Sequence, residues 1–321
     1  MKRTMTLLGG GVLCLALGMF TGTAAVADDF PSKPIRIATW SSVGGGGDVL
    51  ARQLQGPFGE AAGVAVNVVN KPGGGGAVAM EFLSSQAADG YTVLVGTASG
   101  VITPHTTGSP FSLADFKGVI RLQLDPEVVM VRADSPWNTV ADVVASAKAD
   151  PGSVKWGGAF LGSLDSILAY QIASQSGIEF SYVPFEGGGD AMTALLGGHV
   201  PVLIGSPSEV AAQVEAGKIR LIAVATPERL ESLPDLPTLR DGGLDLVAVL
   251  WRGVVAPKDT PDDIVEKLHG FLKQASQSDS FKKYMTDGKI LDGYLSAADY
   301  NASIQTEFST YADIVAKMGV N

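Results

Sequence analysis

The sequence predicts an α/β protein of two lobes, each a mixed, mostly parallel sheet flanked by helices. Three observations predict it. Short β-branched runs alternate with helical runs along almost the whole chain, the rhythm that lays helices over parallel sheets. The rhythm comes as two successive series that meet near Pro126, with no low-complexity linker between them. The length, 321 residues, suits roughly two domains, each large enough to bury a core.

The chain opens with Lys2 and Arg3, an apolar stretch from Leu7 to Phe20, and the small-x-small run Ala25-Val26-Ala27. This layout predicts a secretory signal peptide, residues 1–27, cleaved after Ala27. The apolar stretch is short and glycine-rich for a membrane span. Cys14 lies inside it and would leave with it, so the mature chain of 294 residues (321 − 27) is expected to contain no cysteine. The net charge of −10 becomes −12 once Lys2 and Arg3 are removed with no acid. That balance excludes nucleic acid and anionic membrane surfaces as partners, since both call for a basic patch.

In the first series, Ile35 to Trp40 reads as a strand, Val49 to Phe58 as a helix and Val64 to Val69 as a second strand. A helix from about Ala77 to Gln86 and a strand from Tyr91 to Val95 follow. The second series reads as strand Val128–Val131, helix Val140–Ala149, strand Val154–Gly158 and helix Asp165–Ser176. Leu164, Ile167, Leu168 and Ile172 share one face of that helix. Phe180 to Val183 is a strand, and Asp190 is the expected cap of a helix that ends at Gly197-Gly198. Strands at Val202–Gly205 and Leu221–Ala225 complete the series. Thr260 followed by Pro261, Asp262 and Asp263 reads as an N-cap, a first-turn proline and acids at the positive helix end. A last amphipathic helix runs from about Ala297 to Met318. The expected crossing points give one discontinuous lobe, 28–124 plus 251–321, and a second lobe, 125–250.

The position of the glycines carries the functional reading. Gly44–Gly47, Gly73–Gly76 and Gly187–Gly189 each follow a predicted strand and precede a predicted helix. The carboxyl ends of strands in open α/β sheets are where ligands bind. A glycine loop there lets the main chain approach a ligand closely, and the helix start offers unpaired N–H groups and partial positive charge to an anion. Hydroxyls accompany the glycines. Ser41, Ser42, Thr97, Ser99, Ser163 and Ser206 can donate to a carboxylate without adding a competing negative charge. The candidate site is therefore Ser41, Ser42, Gly45, Gly46, Gly74, Gly75, Thr97, Ser99, Gly162, Ser163, Gly188 and Ser206, with Arg252 as a contact for a second carboxylate. Asp48 is expected to cap its helix or brace the first glycine loop. Trp40 reads as a core residue beside the cleft.

The inventory argues against catalysis. His105, His199 and His269 are far apart and lack metal-ligand spacing. No G-x-S-x-G nucleophile motif occurs, and no Walker lysine follows the first two glycine clusters. Gly74-x-Gly76-x-x-Ala79 loosely fits a dinucleotide fingerprint, but Gly96 and Thr97 stand where its acidic residue belongs. No cofactor and no metal are expected.

At these residues the sequence resembles the solute-binding proteins of tripartite tricarboxylate transporters, the TctC or Bug family, over nearly the whole mature chain. Phe30-Pro31-Ser32-Lys33-Pro34-Ile35, Gly45-Gly46-Gly47-Asp48-Val49, Val69-Asn70-Lys71-Pro72-Gly73, Asp89-Gly90-Tyr91-Thr92, Tyr182-Val183-Pro184-Phe185, Leu195-Leu196-Gly197-Gly198-His199 and Ala256-Pro257-Lys258-Asp259-Thr260-Pro261 carry it by their order and spacing. The resemblance implies a type II periplasmic-binding fold that closes like a Venus flytrap. It also implies capture of a small di- or tricarboxylate anion by amides and hydroxyls, and delivery to a two-subunit membrane permease. A monomeric, periplasmic, non-catalytic protein is expected. Trp251-Arg252 looks closer to the tricarboxylate-type branch. A sensor of the same fold, serving a two-component system, is the alternative partner reading. An aromatic carboxylate, suggested by Trp40 and Phe160, is the alternative ligand. The chain departs from the family pattern at Trp40-Ser41-Ser42-Val43, where Pro-Phe-x-Pro is usual, and at Ser166-Ile167, where His-Leu is frequent. It also departs at Gly205-Ser206, near which some members carry an acid.

Overall fold

The computed structural model describes residues 30–179 and 181–318. The expected signal peptide with its cleavage point, and Phe180 of an expected strand, lie outside the described residues. Among the described residues no helix is long and apolar enough to cross a membrane.

The first sheet has the order β11-β4-β10-β3-β1-β2. Its strands are β1 (Ile35–Thr39), β2 (Val66–Asn70), β3 (Thr92–Thr97), β4 (Lys117–Pro126), β10 (Val249–Ala256) and β11 (Leu291–Leu295). The second sheet has the order β7-β6-β8-β5-β9. It comprises β5 (Val128–Arg132), β6 (Trp156–Gly158), β7 (Tyr182–Pro184), β8 (Val202–Gly205) and β9 (Ile219–Val224). Each sheet is mixed in the same way. Three parallel strands, β2-β1-β3 in one and β7-β6-β8 in the other, meet an antiparallel strand, β10 or β5 respectively.

Among the described residues, ten α-helices accompany these strands. They are α1 (Gly46–Ala62), α2 (Ala77–Ser84), α3 (Ser99–Thr107), α4 (Val140–Ala149), α5 (Leu164–Ser176), α6 (Gly188–Leu196), α7 (Pro207–Glu215), α8 (Asp262–Ser276), α9 (Asp279–Asp287) and α10 (Ala297–Met318). The helices cover the sheets because the strands are apolar on both faces: β3 is buried at every position. Trp156, Tyr300, Phe58 and Phe281 are the largest fully buried side chains.

Two chain segments pass between the sheets, and they are tied side by side. Glu127, between β4 and β5, donates its N–H to the Ala248 carbonyl at 3.0 Å and accepts at its own carbonyl from Ala225 at 2.8 Å. Ala248 N–H donates to Ala225 at 2.8 Å, closing the pair. The backbone groups at this crossing thus satisfy one another.

Several local expectations shift. The first helix begins at Gly46 and continues to Ala62, so the last two glycines of the cluster, Gly46 and Gly47, are part of the helix. Asp190 does not cap α6; Gly187 occupies the N-cap with an extended backbone and Asp190 lies within the first turn. Thr260 does not cap α8, because Pro261 takes that place and the Thr260 hydroxyl donates to the Pro257 carbonyl at 2.8 Å. In both cases the chain starts the helix elsewhere than at the residue best able to cap it.

Candidate functional site

The carboxyl ends of the parallel strands in the two sheets point to a shared cleft. From the first sheet it is lined by Trp40 and Ser41 after β1, Thr97 and Ser99 around the end of β3, and Leu250 and Arg252 of β10. From the second it is lined by Ala159, Phe160 and Asp165, by Glu186–Gly188, and by Gly205, Ser206 and Glu209.

The first loop is built around Asp48, which is almost fully buried. Its Oδ2 accepts from the Gly44 N–H at 3.0 Å, and its Oδ1 accepts from Asn70 Nδ2 at 2.9 Å. Burial works against the charged carboxylate, but these bonds and Arg52 outweigh it and lower the pKa of Asp48. Asp48 thus braces the loop, as the sequence implies. Ser41 Oγ accepts from the Gly47 N–H at 3.1 Å, satisfying one of the free amides at the start of α1. The Gly46 N–H points into the cleft, where it donates to Glu209 Oε1 at 2.9 Å. In the second loop, Gly73 to Gly76 all have positive φ, 124°, 58°, 63° and 101°, a path only glycine follows without strain. A Cβ on Gly75 would stand 2.9 Å from the Phe160 ring, so a residue of the second-sheet side packs on this loop.

Arg252 is 3% exposed and is the cationic centre of the cleft. Alternation along β10 sends Trp251 to the other face, where its Nε1 donates to Glu307 of α10 at 2.6 Å. Arg252 Nε pairs with Asp125. Asp125 Oδ2 also accepts from Gln123 Nε2 at 2.9 Å. Arg252 Nη2 donates to Ser206 Oγ and to Glu209 Oε1, each at 3.3 Å. Burial disfavours the charged guanidinium, but Asp125 and Glu209 more than offset it and its pKa is raised. A Cβ on Gly46 would fall 2.1 Å from Arg252 Nη2, so glycine there is what admits the guanidinium.

Of the residues selected from sequence, Ser41, Thr97, Ser99, Gly188, Ser206 and Arg252 line the cleft. Gly46 reaches it through its amide. Ser42 sits at its edge: its hydroxyl is buried without a hydrogen-bond partner and lies 3.1 Å from where a Gly187 Cβ would be. Gly45 is the N-cap of α1, and Gly74 turns towards Ala77. Gly75 touches the cleft only through Phe160. Gly162 and Ser163 are not brought to it: a Cβ on Gly162 would strike Thr106, and Ser163 Oγ accepts from the Ser166 N–H at 3.2 Å as the cap of α5. Trp40 is both buried and cleft-lining.

Sequence reasoning missed four acids. Asp125 and Glu209 flank Arg252, Asp165 accepts from the Ala159 N–H at 2.8 Å, and Glu186 lines the opposite loop. Glu209 carries a legible signal, since Ser206-Pro207-Ser208-Glu209 is a capping-box pattern with proline in the first turn. Glu209 stands three residues after Ser206, in the first turn of α7. Among the described residues no group of three or more His, Cys, Asp or Glu is arranged to hold a metal ion.

A profile described as the tripartite tricarboxylate transporter family receptor, TctC, matches residues 50–320. The "UPF0065 protein in gbd 5'region" of Cupriavidus necator is 32% identical over 307 residues, covering 95% of this chain and 94% of its own. Protein BugT of Bordetella pertussis is 29% identical, covering 83% of this chain and 85% of its own. Among solved structures, Rpa4515 of R. palustris, determined with adipate, is 27% identical. It superimposes with a TM-score of 0.84 over 91% of this chain and 99% of its own. With the two-sheet fold and its shared cleft, these matches identify the chain as a member of the TctC/Bug family of solute-binding proteins.

Proposed function

We propose that the protein is a periplasmic receptor that captures a small di- or tricarboxylate between lobes 28–124 plus 251–321 and 125–250, and hands it to a two-subunit membrane permease. Its family consists of substrate-binding proteins, not enzymes. The observation that carries the ligand class is the buried guanidinium of Arg252, beside the Gly46 N–H at the start of α1, both of which already hold a carboxylate, that of Glu209. Guanidinium and helix-start amides are complementary to carboxylate oxygens. The structural neighbour solved with adipate supports the same class. The unpartnered Ser42 hydroxyl on the first-sheet side and the Gly187-Gly188 start of α6 across the cleft offer donors for a second carboxylate.

An aromatic carboxylate is the second reading, favoured by Trp40 and Phe160 in the lining. A thermal-shift panel of aliphatic and aromatic carboxylates with the mature protein separates the two. A ligand at a hundredfold excess over its Kd stabilises by about 2.7 kcal/mol. Arg252→Lys keeps the charge beside Asp125 but removes the planar fork. That variant is expected to keep its unliganded Tm within a few degrees and to weaken carboxylate binding at least tenfold. Unchanged affinity in the variant would overturn the role of Arg252. No shift with any carboxylate would overturn the ligand class.

A further inference from the structure

Arg252 is not a free cation waiting for an anion. Its guanidinium is held between two carboxylates of the chain itself, Asp125 and Glu209, and these two play different parts. Asp125 is fully buried, neighbours Arg252 within the first sheet, and is fixed from behind by Gln123. Glu209 comes from α7, on the second-sheet side, and reaches across the cleft. Its Oε1 accepts from the Gly46 N–H at 2.9 Å and from Arg252 Nη2 at 3.3 Å. Amide and guanidinium both belong to the first-sheet side.

The surroundings of this carboxylate are shaped by glycine. A Cβ on Gly188 would stand 1.9 Å from Glu209 Oε2, and one on Gly205 3.4 Å from the same oxygen. Glutamate at this helix position ordinarily folds back onto the N-cap amide. Here it turns into the cleft, and Ser206 makes no side-chain cap bond. The space left in the cleft is about 40 Å³. A water needs roughly 10–15 Å³ on that measure, so a few waters fit and a dicarboxylate does not.

We infer that the Glu209 carboxylate is a built-in stand-in for the ligand's carboxylate: it occupies the anion position on Gly46 and Arg252, latches the two lobes together when the cleft is empty, and is displaced when ligand binds. This rests on the carboxylate reading above for the identity of the displacing group. The lobe-latching contact stands on the geometry alone. Two like charges cannot share one guanidinium and one amide without repulsion, so capture of a dianion requires Glu209 to swing out. The resident carboxylate therefore lowers affinity while keeping the empty cleft closed and Arg252 paired.

Glu209→Gln preserves shape and removes the charge. In small-angle scattering of the ligand-free mature proteins, the variant is expected to be more open, with a larger radius of gyration than the wild type. Equal radii would overturn the latch. In calorimetric titration with the dicarboxylate that gives the largest thermal shift, the variant is expected to bind at least tenfold more tightly. Unchanged or weaker binding would overturn displacement. A zwitterionic amino acid that binds the wild type and is lost in the variant would do so too, by making Glu209 a direct ligand contact. If neither protein binds any carboxylate while the variant still opens, the ligand class falls and the latch stands.

Discussion

Asp165 sits beside the cleft with its carboxylate buried and one main-chain N–H, that of Ala159, donated to it. Burial pushes its pKa up to about 7; the Ala159 bond and Arg252 pull the other way, and Glu209 adds to the rise. The unfolded chain releases this proton near the ordinary Asp value of about 4, while the folded protein keeps it until about pH 7. Across that interval the native state binds more protons, so folding stability falls as pH rises, by up to about 1.4 kcal/mol per pH unit. Asp165→Asn keeps an acceptor for the Ala159 N–H and removes the titration. Its Tm is expected to gain on the wild type as pH rises from 4 to 7 and to hold a constant lead above 7. A Tm difference that stays flat across that range would show that Asp165 ionises in the native state as freely as in water. Glu127, fully buried where the chain crosses between the sheets and with both oxygens unpartnered, is pushed in the same direction by burial and by Asp165 and Glu209. The single-site difference between Asp165→Asn and wild type separates the Asp165 contribution from it.

At the scale of elements, the glycine-loop-to-helix units were legible because they depend on local rules: strand, glycine run, helix start. What stayed hidden was which start faces the cleft and which is sealed by its own cap. Ser163 and Ser206 look alike in sequence, each after a strand and before a helix. Ser163 folds onto the Ser166 amide, whereas Ser206 meets Arg252, a partner 46 residues away that no local pattern reveals. The acids were missed for the same reason. Asp125 and Glu209 are 84 residues apart, and Arg252 brings them together only once both crossing segments are in place. Ser163→Ala is therefore expected to behave as the loss of an N-cap, lowering stability by about 1 kcal/mol. Carboxylate affinity should stay within twofold of wild type. Chemical denaturation and titration of the same variant check both parts, and a large loss of affinity with unchanged stability would return Ser163 to the binding site.

At the scale of the whole molecule, the charge distribution opposes the anionic ligand proposed for the site. With the expected signal removed the chain carries −12, and Glu186 and Glu209 line the cleft around one arginine, with Asp125 buried behind it. A dianion approaching from solvent is repelled until it comes within reach of the Gly46 amide and the guanidinium. Salt weakens the long-range repulsion more than the buried contacts, because the screening length falls from about 30 Å at 0.01 M to about 8 Å at 0.15 M. The association rate constant for a dicarboxylate is thus expected to rise about threefold or more over that range, with the dissociation rate nearly unchanged. Stopped-flow fluorescence, with Trp40 in the cleft lining as the reporter, measures both rates. A rate that fell with salt would mean that the positive ends of α1 and α6, together with Arg252, govern the field at the cleft mouth. In that case the acids beside Arg252 act as its ion-pair partners and not as a repelling field, and the net charge of the surface has no hold on capture.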